Sequence, residues 1–166
     1  NTLLYIIIIY INFFNLYILY IYMNLLEEIY NILEKTKINY SSRGKPKRKT
    51  QKINKNYVGK GRSQTMGIVE NINEKFKGKK GLDVYTLSKF TINNTILYEK
   101  IKLLGKYYNF NFTSVQINKN FKCNRHKDNV NIGESMIISL GNYEGGDLCI
   151  EYGDGLKKIN IKNTPY

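Results

Sequence analysis

The spacing of apolar and polar residues divides the chain into stretches of different character. Residues 1–26 carry no charged side chain and are almost wholly Ile, Leu, Tyr, Phe and Asn. A bilayer core takes about 20 apolar residues of helix, so this run is long enough to cross one. The interior Asn12 and Asn15 and the five tyrosines of residues 1–22 fit a soluble core poorly. No basic leader or small-residue cleavage site marks a secretory signal. Two readings of residues 1–22 stay open: a transmembrane segment, or spurious translation upstream of an initiator at Met23. Residues 23–35 then place Leu25, Leu26, Ile29, Ile32 and Leu33 on one stripe at helical spacing. Glu27 and Glu28 near the start and Lys35 at the end suit the helix dipole. An amphipathic helix is expected within residues 23–40, packed on the domain or on a partner.

Residues 41–63 lose this periodicity. Rich in Lys, Asn, Gly and Ser, they read as a basic disordered linker. From residue 64 apolar patterning returns. Residues 65–70 (TMGIVE) predict a strand, and residues 76–81 (FKGKKG) a turn. Residues 95–104 (TILYEKIKLL) predict a helix with Ile96, Leu97, Ile101 and Leu104 inward, stopped by Gly105. The aromatics Tyr107, Tyr108, Phe110 and Phe112 lead into residues 113–118 (TSVQIN). There Val115 and Ile117 share one face, and Gln116 and Asn118 the other. Residues 135–140 form an apolar run expected to be a strand. Residues 141–147 (GNYEGGD) read as a hairpin turn, and residues 148–152 as the returning strand. Strands and helices following one another in this way imply an α+β domain over residues 64–166.

Charge changes this picture only in part. The chain has 26 Lys and Arg against 13 Asp and Glu, a net +13. Residues 43–62 alone hold nine of the basic residues and no acid. Weak nucleic-acid contact through Arg43 to Arg62 is therefore expected, with a solvated spacer as the plain alternative. If residues 1–22 are genuine, the same cluster favours a cytoplasmic, membrane-anchored protein; otherwise an intracellular one is expected. Cys123 and Cys149 are the only thiols; they make no disulfide framework and no C-x-x-C.

The chemistry concentrates in residues 112–152, around His126, the only histidine, and Asp128. At i and i+2 of an extended chain, their side chains can converge on one divalent metal ion. Iron(II) oxygenases use two imidazoles and one carboxylate on one face. Cys123, three residues before His126, offers a further donor set. A strand, H-x-D, a strand, "G-x-Y-x-G-G-x-L" and a last strand resemble the core of the 2-oxoglutarate and Fe(II)-dependent dioxygenases. The likeness covers roughly residues 64–161 and leans to the prolyl-hydroxylase-like and nucleic-acid-modifying branches.

That resemblance implies an incomplete double-stranded β-helix (jelly-roll) with flanking helices. It also implies Fe(II) on His126 and Asp128, with 2-oxoglutarate and O2 as co-substrates and ascorbate as a supporting reductant. Gln116 and Asn118 become pocket-wall candidates, and the substrate a protein side chain or a nucleobase. The second metal-binding histidine and the late basic residue that grips 2-oxoglutarate are absent. The expectation is a C-terminally truncated fragment, inactive as it stands. Two other readings compete: a non-catalytic jelly-roll binding module in which Asp128 satisfies His126, and a basic nucleic-acid-binding or membrane-attached protein.

Overall fold

The computed structural model describes residues 2–39, 57–58, 62–71, 77–78, 80–120, 122–123, 133–153 and 155–166. Among these, the side chains of residues 2–17, 57, 58, 82, 83, 122, 123 and 152 lie outside the description. The fold is α+β, with helices and small antiparallel sheets. Among the described residues the sheets have two or three strands and close no barrel. The chain forms two compact units, residues 1–34 with 131–166, and residues 35–130.

In the first unit, helix α1 runs unbroken over Thr2–Lys35. The apolar segment and the amphipathic helix, expected as separate elements, are one. Tyr22, Leu26 and Ile29 are its buried positions, a stripe at i, i+4 and i+7. Tyr22 donates its hydroxyl proton to the Asn163 carbonyl at 2.9 Å. The apolar segment, residues 1–22, falls mostly on undescribed side chains; among the described residues no helix is long and apolar enough to cross a membrane.

The other elements of this unit correct one expectation. Residues 135–140 form no strand that pairs with residues 148–152. Ile137 instead exchanges both backbone hydrogen bonds with Tyr166, each at 2.9 Å. Ser139 makes an isolated parallel bridge to Lys162. Strand β6 (Leu148–Tyr152) pairs with β7 (Gly155–Ile159), so the hairpin of this sheet closes after Tyr152, not at residues 141–147. An apolar run shows what can be buried, not which partner buries it. The glycines of residues 141–147 do take positive φ, as expected.

The second unit is built on a three-stranded antiparallel sheet in the order β3–β2–β4. Strands β2 (Arg62–Glu70), β3 (Tyr85–Leu87) and β4 (Ser114–Lys119) compose it. The predicted strand at residues 65–70 is thus present and begins earlier. β2 pairs with β4 over residues 62–67, then with β3 over residues 68–70. Strands β1 (Tyr57–Val58) and β5 (Lys122–Cys123) add a short antiparallel ladder. Its partners sum to 180, against 181 in the β2–β4 ladder, so the register shifts by one residue between them. Residues 57–58 and 62–63, expected as the end of a disordered linker, are therefore strand; residues 40–56 lie outside the described residues.

Two helices, α2 (Lys89–Ile92) and α3 (Thr95–Tyr107), follow β3. The helix predicted at residues 95–104 is α3, with two corrections. It runs through Gly105 to Tyr107, and Ile96 points outward, 69% exposed. Gly105 serves close approach instead of termination: a Cβ there would sit 2.8 Å from the Phe112 ring and 2.9 Å from the Phe110 carbonyl oxygen. Leu97 and Leu104 are the buried face, and the core they join holds Met66, Val84, Ile117 and Ile38. Burying each such side chain contributes about 2 kcal/mol.

A chain of hydroxyls fastens α2 to β2. The Gly67 N–H donates to Thr91 Oγ1 at 2.7 Å. Thr91 Oγ1 and Ser88 Oγ are 2.8 Å apart. Ser88 Oγ donates to the Thr65 carbonyl at 2.8 Å and accepts from the Thr91 N–H at 3.1 Å, which caps α2. The Ser88 proton is committed to Thr65, so the proton between the hydroxyls comes from Thr91. Among the described residues every buried side-chain N or O atom has a partner. Thr91→Val keeps the shape but strands the Gly67 N–H and breaks the chain. It is expected to cost about 1–3 kcal/mol in urea unfolding, whereas a cost near zero would make the chain ornamental.

Candidate functional site

Strand β4 leads towards the expected metal ligands. Its alternation is as predicted: Ile117 is buried and Val115 partly so, while Gln116 and Asn118 are exposed on the other face. Gln116 lies opposite Thr65, and Asn118 opposite Ser63. The Gln116 amide is engaged within the sheet. Its Oε1 accepts from Thr65 Oγ1 at 2.9 Å, and its Nε2 donates to Ser63 Oγ and, at 3.2 Å, to the Gln64 carbonyl. Ser63, Thr65, Gln116 and Asn118 thus form a polar patch of hydroxyls and amides on this face.

The chain then passes through β5 at Lys122–Cys123. His126 and Asp128 follow, and both lie outside the described residues, as does the side chain of Cys123. Cys149 is a free, exposed thiol. Among the described residues no three His, Cys, Asp or Glu side chains come together in a way that could hold a metal ion. The donor set in sequence is one imidazole and one carboxylate, two of the three an iron(II) oxygenase face requires. These residues do not by themselves fit a complete centre, and no step of an oxidation can be assigned to them alone.

The Gly-rich stretch after the H-x-D is anchored at its tyrosine. Tyr143 shares a hydroxyl hydrogen bond with Ser139, and Lys162 Nζ stands 5.1 Å from the centre of its ring. Lys162 also donates to the Tyr143 carbonyl at 3.3 Å. Gly141, at φ 112°, lies against the Tyr30 ring of α1, where a Cβ would come within 3.0 Å.

The second unit carries an open groove of about 560 Å³ lined by Ile68, Tyr85, Thr86, Leu87 and Thr113. Ile68 and Leu87 are cross-strand partners, and with Tyr85 they are exposed. Apart from the Tyr85 phenol and the hydroxyls of Thr86 and Thr113 the lining is apolar, so this groove suits apolar contact. It does not include Gln116 or Asn118. Pattern reading missed it because β3, three residues long, is too short to show alternation.

Comparison with protein-family models, with curated proteins and with solved structures finds no match to this chain.

Proposed function

We propose that the chain is a fragment of an Fe(II) and 2-oxoglutarate-dependent dioxygenase that oxidises a C–H bond of a protein side chain or a nucleobase. In this reading residues 64–166 form part of a double-stranded β-helix. The observation that carries it is the order of elements around His126 and Asp128. An alternating strand ends at Lys119, the H-x-D follows β5, and an extended segment leads to the glycines and tyrosine of residues 141–147 and then to β6. His126 and Asp128 would hold the iron, whose chemistry when bound is the activation of O2 against 2-oxoglutarate. With His126 the only histidine of the 166 residues, a second imidazole must come from outside them.

Gln116 and Asn118 are placed by this reading on the sheet face nearest the H-x-D. The Gln116 contacts to Ser63 and Thr65 would fix that wall and not grip a co-substrate directly. A non-catalytic jelly-roll module remains the alternative, in which Asp128 serves only to satisfy His126.

Titration with Co(II), which binds such donors without turning over, separates the two. The proposal expects weak binding that is reduced by either His126→Ala or Asp128→Ala. Losing even an outer hydrogen-bond partner of a metal ligand costs about 10–100-fold in affinity, so losing a ligand is expected to cost at least that. Equal Co(II) affinity in both variants and in the parent would remove the metal site.

A further inference from the structure

We infer that the outer face of α3, with the end of α2 before it, docks on an anionic lipid bilayer. The buried side of α3 is that of Leu97, Leu104 and Gly105. A second apolar stripe lies beside it. Ile96, Leu103 and Tyr107 stand at i, i+7 and i+11, which places them on one face of the helix. All three are between 42% and 69% exposed, and Ile92 at the end of α2 is exposed as well. Single apolar residues on a surface carry no message, but a row of them along one helix marks a contact face.

The rim of this stripe is basic. Residues 88–108 hold Lys89, Lys100, Lys102 and Lys106 against Glu99 alone, a net +3. Glu99 is paired with Lys102 at 3.0 Å, so those two cancel. Helical spacing puts Lys100 on one side of the stripe and Lys106 on the other. The unit as a whole, residues 35–130, holds twenty-three Lys and Arg against five Asp and Glu, a net +18. An apolar row edged by lysines is the form of a helix lying in the plane of a membrane. Its apolar side chains enter about 5–10 Å, and its lysine stems reach back so that the ammonium groups meet lipid phosphates. Tyr107 suits the same place, because a ring with a hydroxyl at its tip sits at headgroup level.

Other occupants fit this face less well. A specific protein interface buries about 800 Å² on each partner, more than four partly exposed side chains offer. A second copy would bring two units of the same high positive charge together, and they repel. Affinity for a bilayer instead grows with the apolar area inserted and adds to the attraction of anionic headgroups. Neither His126 nor Asp128 enters this argument, so the inference stands apart from the dioxygenase reading.

The chain has no tryptophan, so Ile96→Trp gives the stripe a fluorescent reporter of its own. Residues 1–26, uncharged, and residues 43–62, basic, can each bring the chain to a vesicle, so co-flotation alone does not read this face. The 166-residue Ile96→Trp chain is therefore mixed with phosphatidylcholine–phosphatidylserine vesicles whose acyl chains carry bromine, a contact quencher. Blue-shifted, quenched emission is the expected result. Adding Leu103→Glu should abolish the quenching. Adding Lys106→Gln should raise the lipid needed for half-quenching about fivefold, the share of one cation near an anionic surface. Tyr85→Trp, at an exposed position of β3 in the same unit, is the comparison and should be quenched far less. Circular dichroism shows whether each variant is folded. A folded Ile96→Trp chain left unquenched at saturating lipid would overturn the inference, as would equal quenching of the Tyr85→Trp chain. A blue shift that appears without lipid and grows with protein concentration would assign the stripe to a second copy and overturn it too.

Discussion

Gly67→Ala is expected to destabilise the second unit by about 3 kcal/mol or more, among the largest effects of any single substitution in it. Gly67 is where β2 changes partners, pairing with β4 up to this residue and with β3 beyond it. The change needs a local twist, and the backbone there takes φ 100°. A side chain in that region costs about 1–3 kcal/mol in strain alone. The steric cost adds to it, because a Cβ would run into the Thr113 carbonyl oxygen and lie 2.8 Å from Ser114 Cα. These are backbone atoms of the partner strand and cannot rotate away. Moving them would also disturb the Gly67 N–H bond to Thr91 and the Ser88 N–H bond to the Gly67 carbonyl, 2.7 and 2.9 Å. Gly78→Ala is the matched comparison: φ is 83°, and nothing lies within 4 Å of the added carbon. It carries the strain without the collision. Urea unfolding of the two variants should show Gly67→Ala costing clearly more; equal costs would mean that β4 yields and that the crossing point is soft.

The elements that could be read from the sequence are those whose pattern is local. β4 was legible because Val115 and Ile117 alternate with Gln116 and Asn118, and one side of a sheet is buried. The α3 helix was legible from its period, but not its face. Leu97 and Leu104 pack, while Ile96 sits outside their stripe and is left in solvent; periodicity alone does not say how wide the covered stripe is. Gly105 was read as a stop because glycine ends helices, whereas the close approach of Phe110 and Phe112 is a tertiary fact. Residues 135–140 misled for the same reason, since their partners are Ile161, Asn163 and Tyr166, met only after the whole β6–β7 hairpin. The α2 turn is four residues long, too short for any period, though Ser88 with Thr91 three residues on is a capping pattern visible in hindsight. The charge contrast between the units, net −5 for residues 1–34 with 131–166 and net +18 for residues 35–130, escaped a linear reading because the first of them is discontinuous in sequence. Of the candidate site, the alternation of the preceding strand β4 was legible, one residue out of register with its observed bounds, while His126 and Asp128 lie outside the described residues. The pairing of His126 with Asp128 rests on spacing, and on the order of the elements around it.

Fe(II)-dependent conversion of 2-oxoglutarate to succinate is expected to be absent from the 166-residue chain and present when its reading frame is continued to the stop codon. The proposed site has one imidazole and one carboxylate, and nothing in the sequence can supply another imidazole. Two protein donors hold a small divalent ion far more loosely than three. They also leave it free to exchange with buffer, so turnover should not exceed that of protein-free Fe(II). In the extended protein a further histidine would close the three-ligand face, and a basic residue beyond it would bind the far carboxylate of 2-oxoglutarate. Activity there should fall to background in His126→Ala and in Asp128→Ala, while Gln116→Ala should lower it only in part by loosening the sheet wall. Far-ultraviolet circular dichroism on each variant separates loss of the site from loss of the fold. Turnover by the 166-residue chain, abolished by His126→Ala, would show that a site without a second histidine suffices. A folded extended protein with no turnover would sink the dioxygenase reading itself.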